Sequence, residues 1–376
     1  MPGFERVADA FAANFADGGD VGAACCVYRH GQPVVELWGG VADIRLDRPW
    51  ERNTPVLVFS LTKGITAVCV HMLVERGILH LDAPVASVWP EFAAAGKEAI
   101  PLRWVLSHRA GVAAIDARVT LDDIVGWDGV VAAVAAQAPN WEPGTAFGYH
   151  ARTYGWILGE VVRRVTGMSL GAFLAKEVAA PLGLDLWLGL PDSVELRLAP
   201  IIPPDPPADP HLRDLWVDMA MSDTLFGKVM SGPSHLFAYD ERWNTRPLHQ
   251  AEMPSSNGVT TATAAARLYA ATIGEVDGVR LLGPDTVEAA CVPQSEGTDC
   301  VLGLQSRYGL GFALPPWLPA PCPPTAFGHV GAGGSLTFAD PESGVAFGYV
   351  MNRLKLDPDH PDTRATSLVG ALYECL

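Results

Sequence analysis

In the run VFSLTKGITAVCV, the hydroxyl of Ser60 and the amine of Lys63 stand three residues apart. On a helix that spacing puts both side chains on one face of the first turn, with roughly 5–6 Å between Cβ atoms. A serine hydroxyl attacks a carbonyl carbon once a base takes its proton, and a lysine can be that base only when neutral. Apolar surroundings and a helix N-terminus both disfavour the ammonium and bring its pKa toward the useful range. The continuation GITAVCVHMLVERG has almost no polar face, so a helix from Ser60 to about Arg76, stopped by Gly77, is expected to be buried with Lys63 inside it. Taken alone, S-x-x-K also describes a capping serine followed by a lysine that reaches water.

Two other clusters offer partners for the pair. In WEPGTAFGYHARTYGWILGEVVRRVTG (141–167), Tyr149 lies in a glycine-flanked loop before a helix. A phenol there can hydrogen-bond a serine hydroxyl, share a proton with a lysine and protonate a leaving group; a lone tyrosine fits a core equally well. In FGHVGAGGSLTFAD (327–340), glycines let a strand edge approach a ligand, and a backbone N–H can complete an oxyanion hole. The same run also reads as an ordinary glycine-rich turn. It is not a phosphate loop, because no G-K-[ST] follows and the run leads into a strand.

Elements able to hold such a site are legible on both sides of it. A short amphipathic helix near the start is followed by VGAACCVYRHGQPVVELWGGVAD, a hairpin turning at RHGQ. Residues 59 to about 190 read as mainly helical, with segments at 102–109, 121–138, 152–166 and 169–180. The proline-rich run APIIPPDPPADP opens an irregular stretch, 199–255, that reads as a lid or pocket wall. A helix returns near SSNGVTTATAAARLYAATIG, YGLGFAL, AFGHVGAGGSLTFAD and GVAFGYVMN read as strands, and a helix over 363–375 closes the chain. The expected fold is mixed α/β: one domain, 1–376, in which 1–58 and 256–376 build a sheet and 59–255 form a helical subdomain.

Composition narrows the function classes. The 376 residues are 49% apolar, enough for a large core, and the net charge of −16 repels polyanions. No nucleic-acid or membrane partner is therefore expected. The opening residues lack the basic and apolar regions of a signal peptide, no apolar run approaches a membrane span, and a cytoplasmic location is expected. Seven cysteines show no C-x-x-C pairing or histidine-flanked metal spacing, so reduced thiols, no metal and no cofactor are expected, and Cys69 has no motif of a nucleophile around it. His108, in LSHRAG, is read as satisfying carbonyls at a helix end. Trp141, Trp156, Trp216 and Trp243 are read as core or pocket wall, and Met219, Met221 and Phe226 as lining for an apolar acyl pocket.

Taken together, Ser60-Leu61-Thr62-Lys63, Tyr149-His150-Ala151 and His329-Val330-Gly331 resemble the S-x-x-K, Y-x-N and K-T-G motifs of the serine β-lactamase and penicillin-binding-protein superfamily. The likeness is closest to class C β-lactamase-like serine hydrolases, including family VIII carboxylesterases. NTPVLVFSLTKGITA, LRWVLSHRAGV, the tyrosine segment and HVGAGGS follow in the family's order and span most of the chain. The resemblance implies a β-lactamase/DD-peptidase-like fold, an antiparallel sheet flanked by helices with an α-rich subdomain. It implies Ser60 as the acylated nucleophile, Lys63 as base with Tyr149 as proton shuttle, and an oxyanion hole from the N–H groups of Ser60 and Ala332. His329, Gly331 and Gly333 would border the substrate.

Two departures bear on substrate. His329 replaces the lysine that carries positive charge for a substrate carboxylate, and an unperturbed imidazole is mostly neutral at pH 7. Ala151 replaces an asparagine that orients an amide, removing a polar contact. Both shift the expectation from β-lactams and peptides to small neutral esters. Acyl transfer to an amine or alcohol in secondary metabolism stands as the alternative. A β-lactamase, a D-aminopeptidase and an inactive binding homologue are less favoured.

Overall fold

The computed structural model describes residues 3–16, 19–205, 221–356 and 361–376. Strands β1 (Gly22–Arg29), β2 (Gln32–Asp43) and β3 (Arg48–Pro49) come from the start of the chain. Short strands β4 (Val56–Leu57), β5 (Leu186–Trp187) and β6 (Val259–Thr260) form a second sheet, and β7 (Ser295–Thr298) pairs with β8 (Gln305–Tyr308). The last third supplies β9 (Phe327–Val330), β10 (Leu336–Asp340) and β11 (Val345–Met351). The main sheet runs β3-β2-β1-β11-β10-β9, so the two ends of the chain meet where β1 pairs antiparallel with β11.

Both faces of that sheet are covered, which is why β1 and β11 are apolar almost throughout instead of alternating. Along β11, Gly348 lies against the helix Ala262–Ile273, where a Cβ would meet the Ala262 carbonyl. Its neighbour Tyr349 points the other way and donates to Asp20. On that second face α1 (Glu5–Ala16) packs against the closing helix Arg364–Tyr373. The fully buried Arg364 guanidinium is answered there by Asp20 at 2.8 Å and Asp362 at 2.7 Å.

Between the two sheet-forming ends lie α2 (Thr62–Glu75), α3 (Leu102–Leu106), α4 (Leu121–Gly126), α5 (Asp128–Ala136) and α6 (Thr153–Thr166). The single helix expected over 121–138 is two, because Trp127 adopts φ +67 and its indole donates to Glu160. The segment expected over 169–180 likewise changes character, from α-helix at Leu170–Leu174 to a wider π turn at Ala175–Ala179. YGLGFAL is not one strand. β8 ends at Tyr308, and Gly311, at φ +90, tucks against Ala67 of α2. The described part of 199–255 is more regular than its prolines suggest, with helical turns at Leu225–Met230, Glu241–Asn244 and Arg246–Gln250.

Candidate active site

The chain reaches Ser60 through a sharp turn. β4 ends at Leu57, Val58 N–H donates to Gly258, and Phe59 takes φ +47, the left-handed region that costs an ordinary L-residue about 1–2 kcal/mol. Its ring is held edge-on by Tyr239 at 5.5 Å and Trp243 at 5.2 Å, which fixes the turn. A 3-10 turn, Phe59–Leu61, then runs into α2. Ser60 therefore precedes the α-helix and does not cap it; the residue before α2 is Leu61, with no side-chain cap.

Every residue of α2 from Thr62 to Leu73 is buried, as expected for a helix apolar all round, and Lys63 is fully enclosed. Its Nζ lies 2.8 Å from the Ala151 carbonyl, 3.0 Å from the Ser255 carbonyl and 3.3 Å from Ser60 Oγ. Burial first, and the Arg152 guanidinium second, hold the amine well below the usual lysine range. A neutral amine has two N–H bonds and one lone pair. In that form the two shorter contacts, to carbonyls, take both N–H bonds, and the lone pair would be left for the serine hydroxyl.

Those carbonyls come from two segments that clasp the start of α2. Thr66 Oγ1 donates to Pro254, and Gly258 N–H donates to Thr62 Oγ1. Asn257 ties the loop by accepting from Met253 N–H and donating to Leu248 and Ala251. Gly155 of α6 lets this loop approach closely, since a Cβ there would lie 2.5 Å from Ser255 N. Ala151, expected only as a lost polar contact, contributes through its backbone.

Tyr149 is buried with its ring centroid 4.7 Å from Lys63 Nζ, and its phenol lies near enough to the Ser60 hydroxyl to be influenced by it. Burial raises the phenol above its ordinary range, so it stays protonated at neutral pH. Its backbone sits in a cradle: Gly148 N–H donates to the His108 carbonyl, Tyr149 N–H to Asp299 Oδ1 and His150 N–H to His108 Nδ1. His108 thus accepts an amide proton instead of satisfying carbonyls as expected, because burial, then the nearby His150, Lys63 and His329, keeps its ring neutral. His150 is held at about 4 by burial; its Nδ1–H faces the Gly148 carbonyl and its Nε2 accepts from Val112 N–H.

Asp299 was not singled out from the sequence. One oxygen, Oδ1, accepts from the amides of Tyr149, Val301 and Leu302, while Oδ2 has no partner among the described residues and burial raises the carboxyl's pKa. No local pattern in EGTDCVLG announces this, since the tyrosine it supports is 150 residues away.

His329 lies on β9, 1% exposed, with its ring 6.4 Å from that of Tyr149. Burial, and after it Lys63, lowers it to about 3. It is therefore neutral, with Nδ1–H on the Val330 carbonyl at 2.7 Å and an Nε2 that has no partner among the described residues. Gly331 permits the close passage of β9 past the serine turn, since a Cβ there would lie 2.4 Å from the Val58 carbonyl. The amides of Ser60 and Ala332 form no hydrogen bond within the described residues. Gly333 turns elsewhere, packing on Leu354 with its carbonyl taken by Arg364 and Lys355.

Of the other residues singled out, Trp216 and Met219 lie outside the described residues, Met221 is 43% exposed and Phe226 half-buried. The side chains against Phe59 come from further along, Tyr239 and Trp243. Trp156 is fully buried in α6, and Trp141 stands edge-on to His150 at 5.5 Å. The buried Cys69 thiol is pushed up to about 12, away from thiolate chemistry. Among the described residues no group of histidine, cysteine and acidic side chains is placed to hold a metal ion, and no helix is long and apolar enough to cross a membrane.

An antiparallel sheet assembled from both chain ends, with a serine, a buried amine and a phenol meeting beside its edge strand, defines the serine β-lactamase and penicillin-binding-protein class of fold. The chain belongs to the Beta-lactamase family, whose model matches residues 7–371. It is 37% identical over 365 residues to the esterase/beta-lactamase LipL of Mycobacterium tuberculosis, an alignment covering 94% of this chain and 82% of that one. The crystal structure of a family VIII carboxylesterase superposes with a TM-score of 0.90 at 38% identity, covering 100% of this chain and 98% of the other. A shorter likeness, 28% over 160 residues, joins 36% of this chain to 38% of monacolin J acid methylbutanoyltransferase from Aspergillus terreus.

Proposed function

We propose that this protein hydrolyses small carboxylic esters through an acyl-enzyme on Ser60. The observation that carries the reading is the Lys63 amine, enclosed, held below the usual lysine range and 3.3 Å from Ser60 Oγ. Lys63 accepts the serine proton as Oγ bonds to the ester carbonyl carbon, and the amides of Ser60 and Ala332 receive the oxyanion. As the tetrahedral adduct collapses, the carbon–oxygen bond to the alcohol breaks. Tyr149 passes a proton to the departing oxygen and is reprotonated from Lys63. Water then repeats the sequence on the acyl-enzyme, releasing the acid and restoring the Ser60 hydroxyl. His329 and Gly331 border the substrate, and the neutral ring at 329 gives no positive charge there.

The esterase and carboxylesterase relatives support the reaction class, and all seven cysteines are free thiols, in keeping with a cytoplasmic setting. Acyl transfer is the second reading, favoured by the methylbutanoyltransferase likeness. Intact-mass detection of an adduct with a fluorophosphonate or a p-nitrophenyl ester tests the first, wild type against Ser60→Ala. Label on the wild type alone is expected; a wild type that takes no label and turns over no short ester overturns it. Adding amines or alcohols and measuring product away from the free acid separates the two readings.

A further inference from the structure

Two arginines are buried among the described residues, and they are treated differently by their surroundings. Arg364 has two carboxylates, Asp20 and Asp362, and two carbonyls. Arg152, 4% exposed, forms no ion pair among the described residues. Its one side-chain hydrogen bond within the described residues is a long one, 3.3 Å from Nη2 to the Met230 carbonyl, and its Nε is buried with no partner among them. Otherwise the guanidinium rests on the faces of Phe237 at 5.3 Å and Trp243 at 5.7 Å. Taking a guanidinium out of water without a counter-ion is costly, and cation–π contacts offset that cost only in part. In a chain carrying 42 acidic residues, none of the described ones pairs with this cation.

The position of Arg152 points to what is missing. It follows Tyr149-His150-Ala151 directly, and its own carbonyl accepts from Ser255 Oγ, so its backbone is part of the clasp around Lys63. The aromatic pair beneath it continues into the wall behind the nucleophile, since Trp243 also packs on Phe59. Its charge acts on both Lys63 and Tyr149.

We propose that Arg152 is the specificity residue of this site and pairs with a carboxylate on the substrate, so that the preferred esters are anionic. This rests on the acyl-enzyme reading above. It also reverses the expectation of neutral esters drawn from His329: the positive charge absent from β9 is present at the start of α6.

The test compares matched esters. On the acyl side, mono-p-nitrophenyl glutarate is set against its methyl ester; on the alcohol side, 3-acetoxybenzoate against its methyl ester. For the wild type, kcat/KM is expected to favour the charged member of at least one pair by about tenfold or more, and the pair that does so shows which portion carries the carboxylate. Arg152→Gln is expected to erase that preference, and Arg152→Lys, which keeps the charge, to retain part of it and to verify that the site still assembles. Arg152→Gln also takes a positive neighbour from Lys63, so the acidic limb of its pH profile should move to higher pH.

A wild type that favours the neutral member of both pairs overturns the proposal while leaving the esterase reading intact. So does an Arg152→Gln enzyme that loses charged and neutral activity in equal proportion. No turnover of any ester, with no fluorophosphonate label, instead removes the underlying reading.

Discussion

Lys63 Nζ stands 3.3 Å from Ser60 Oγ while making shorter contacts, of 2.8 and 3.0 Å, to the carbonyls of Ala151 and Ser255. The two carbonyls aim the amine. In the proposed reaction, where the amine is neutral, they would hold its N–H bonds away from the serine and leave the lone pair for the hydroxyl proton, so the contacts that satisfy the buried amine would also orient it.

Removing the amine should therefore stop acylation without abolishing substrate binding. For Lys63→Ala the acylation rate, read from the burst with a p-nitrophenyl ester, is expected to fall by about 10²–10⁴-fold with a smaller change in KM. A variant acylating at the wild-type rate would remove Lys63 from its role as base.

The pH dependence follows from the direction of two shifts. Lys63 is depressed, chiefly by burial, and must be neutral to act, so kcat/KM should be full above its pKa and fall as acidification protonates it. His329, at about 3, is neutral throughout that range. His329→Asn should change kcat/KM without moving the acidic limb, and a limb that shifts with this variant would assign the titration to the imidazole.

Asp299 should matter through its hydrogen bonds more than its charge. Asparagine can still present one oxygen to the amides of Tyr149, Val301 and Leu302, whereas alanine leaves two buried N–H groups unpaired, at about 1–3 kcal/mol each, and a third that is half-buried. Asp299→Ala is expected to lower both Tm and kcat, the latter by about tenfold or more, and Asp299→Asn to stay within a few-fold of wild type. Equal losses in both would mean that the charge is what counts.

Gly331 offers a steric test. A Cβ there would lie 2.1 Å from Ser335 Oγ and 2.4 Å from the Val58 carbonyl, so Gly331→Ala must push β9 away from the serine turn. At least a tenfold drop in kcat is expected, measured beside Gly274→Ala, where a Cβ has its nearest neighbour at 3.8 Å and activity should hold. Unchanged turnover in Gly331→Ala would separate this strand from the chemistry.

Much of the scaffold was readable because its signals are local. The RHGQ hairpin, the buried α2 and the closing helix each carry their own pattern of turn residues or apolar spacing. The misreadings lie where a long-range contact overrides that pattern. Trp127 breaks a continuous apolar helix to reach Glu160, and Gly311 leaves the line of a strand to fit beside Ala67. His108 looked like a helix-end side chain, and is instead a support for the tyrosine segment.

The sequence by itself determined that Ser60 and Lys63 lie side by side, because residues three apart on a helical turn, α or 3-10, are neighbours, and that the helix after them is buried, because it is apolar all round. Only the tertiary structure decided which groups surround the Lys63 amine and which stand beside Arg152. The Ala151 and Ser255 carbonyls lie 88 and 192 residues from Lys63, and the carboxylate behind Tyr149 lies 150 residues from it. Every residue has a carbonyl, so no residue type announces which one an amine will find. An arginine likewise does not reveal from the sequence whether a carboxylate will stand beside it; that Arg152 has none among the described residues emerges only once its surroundings are packed.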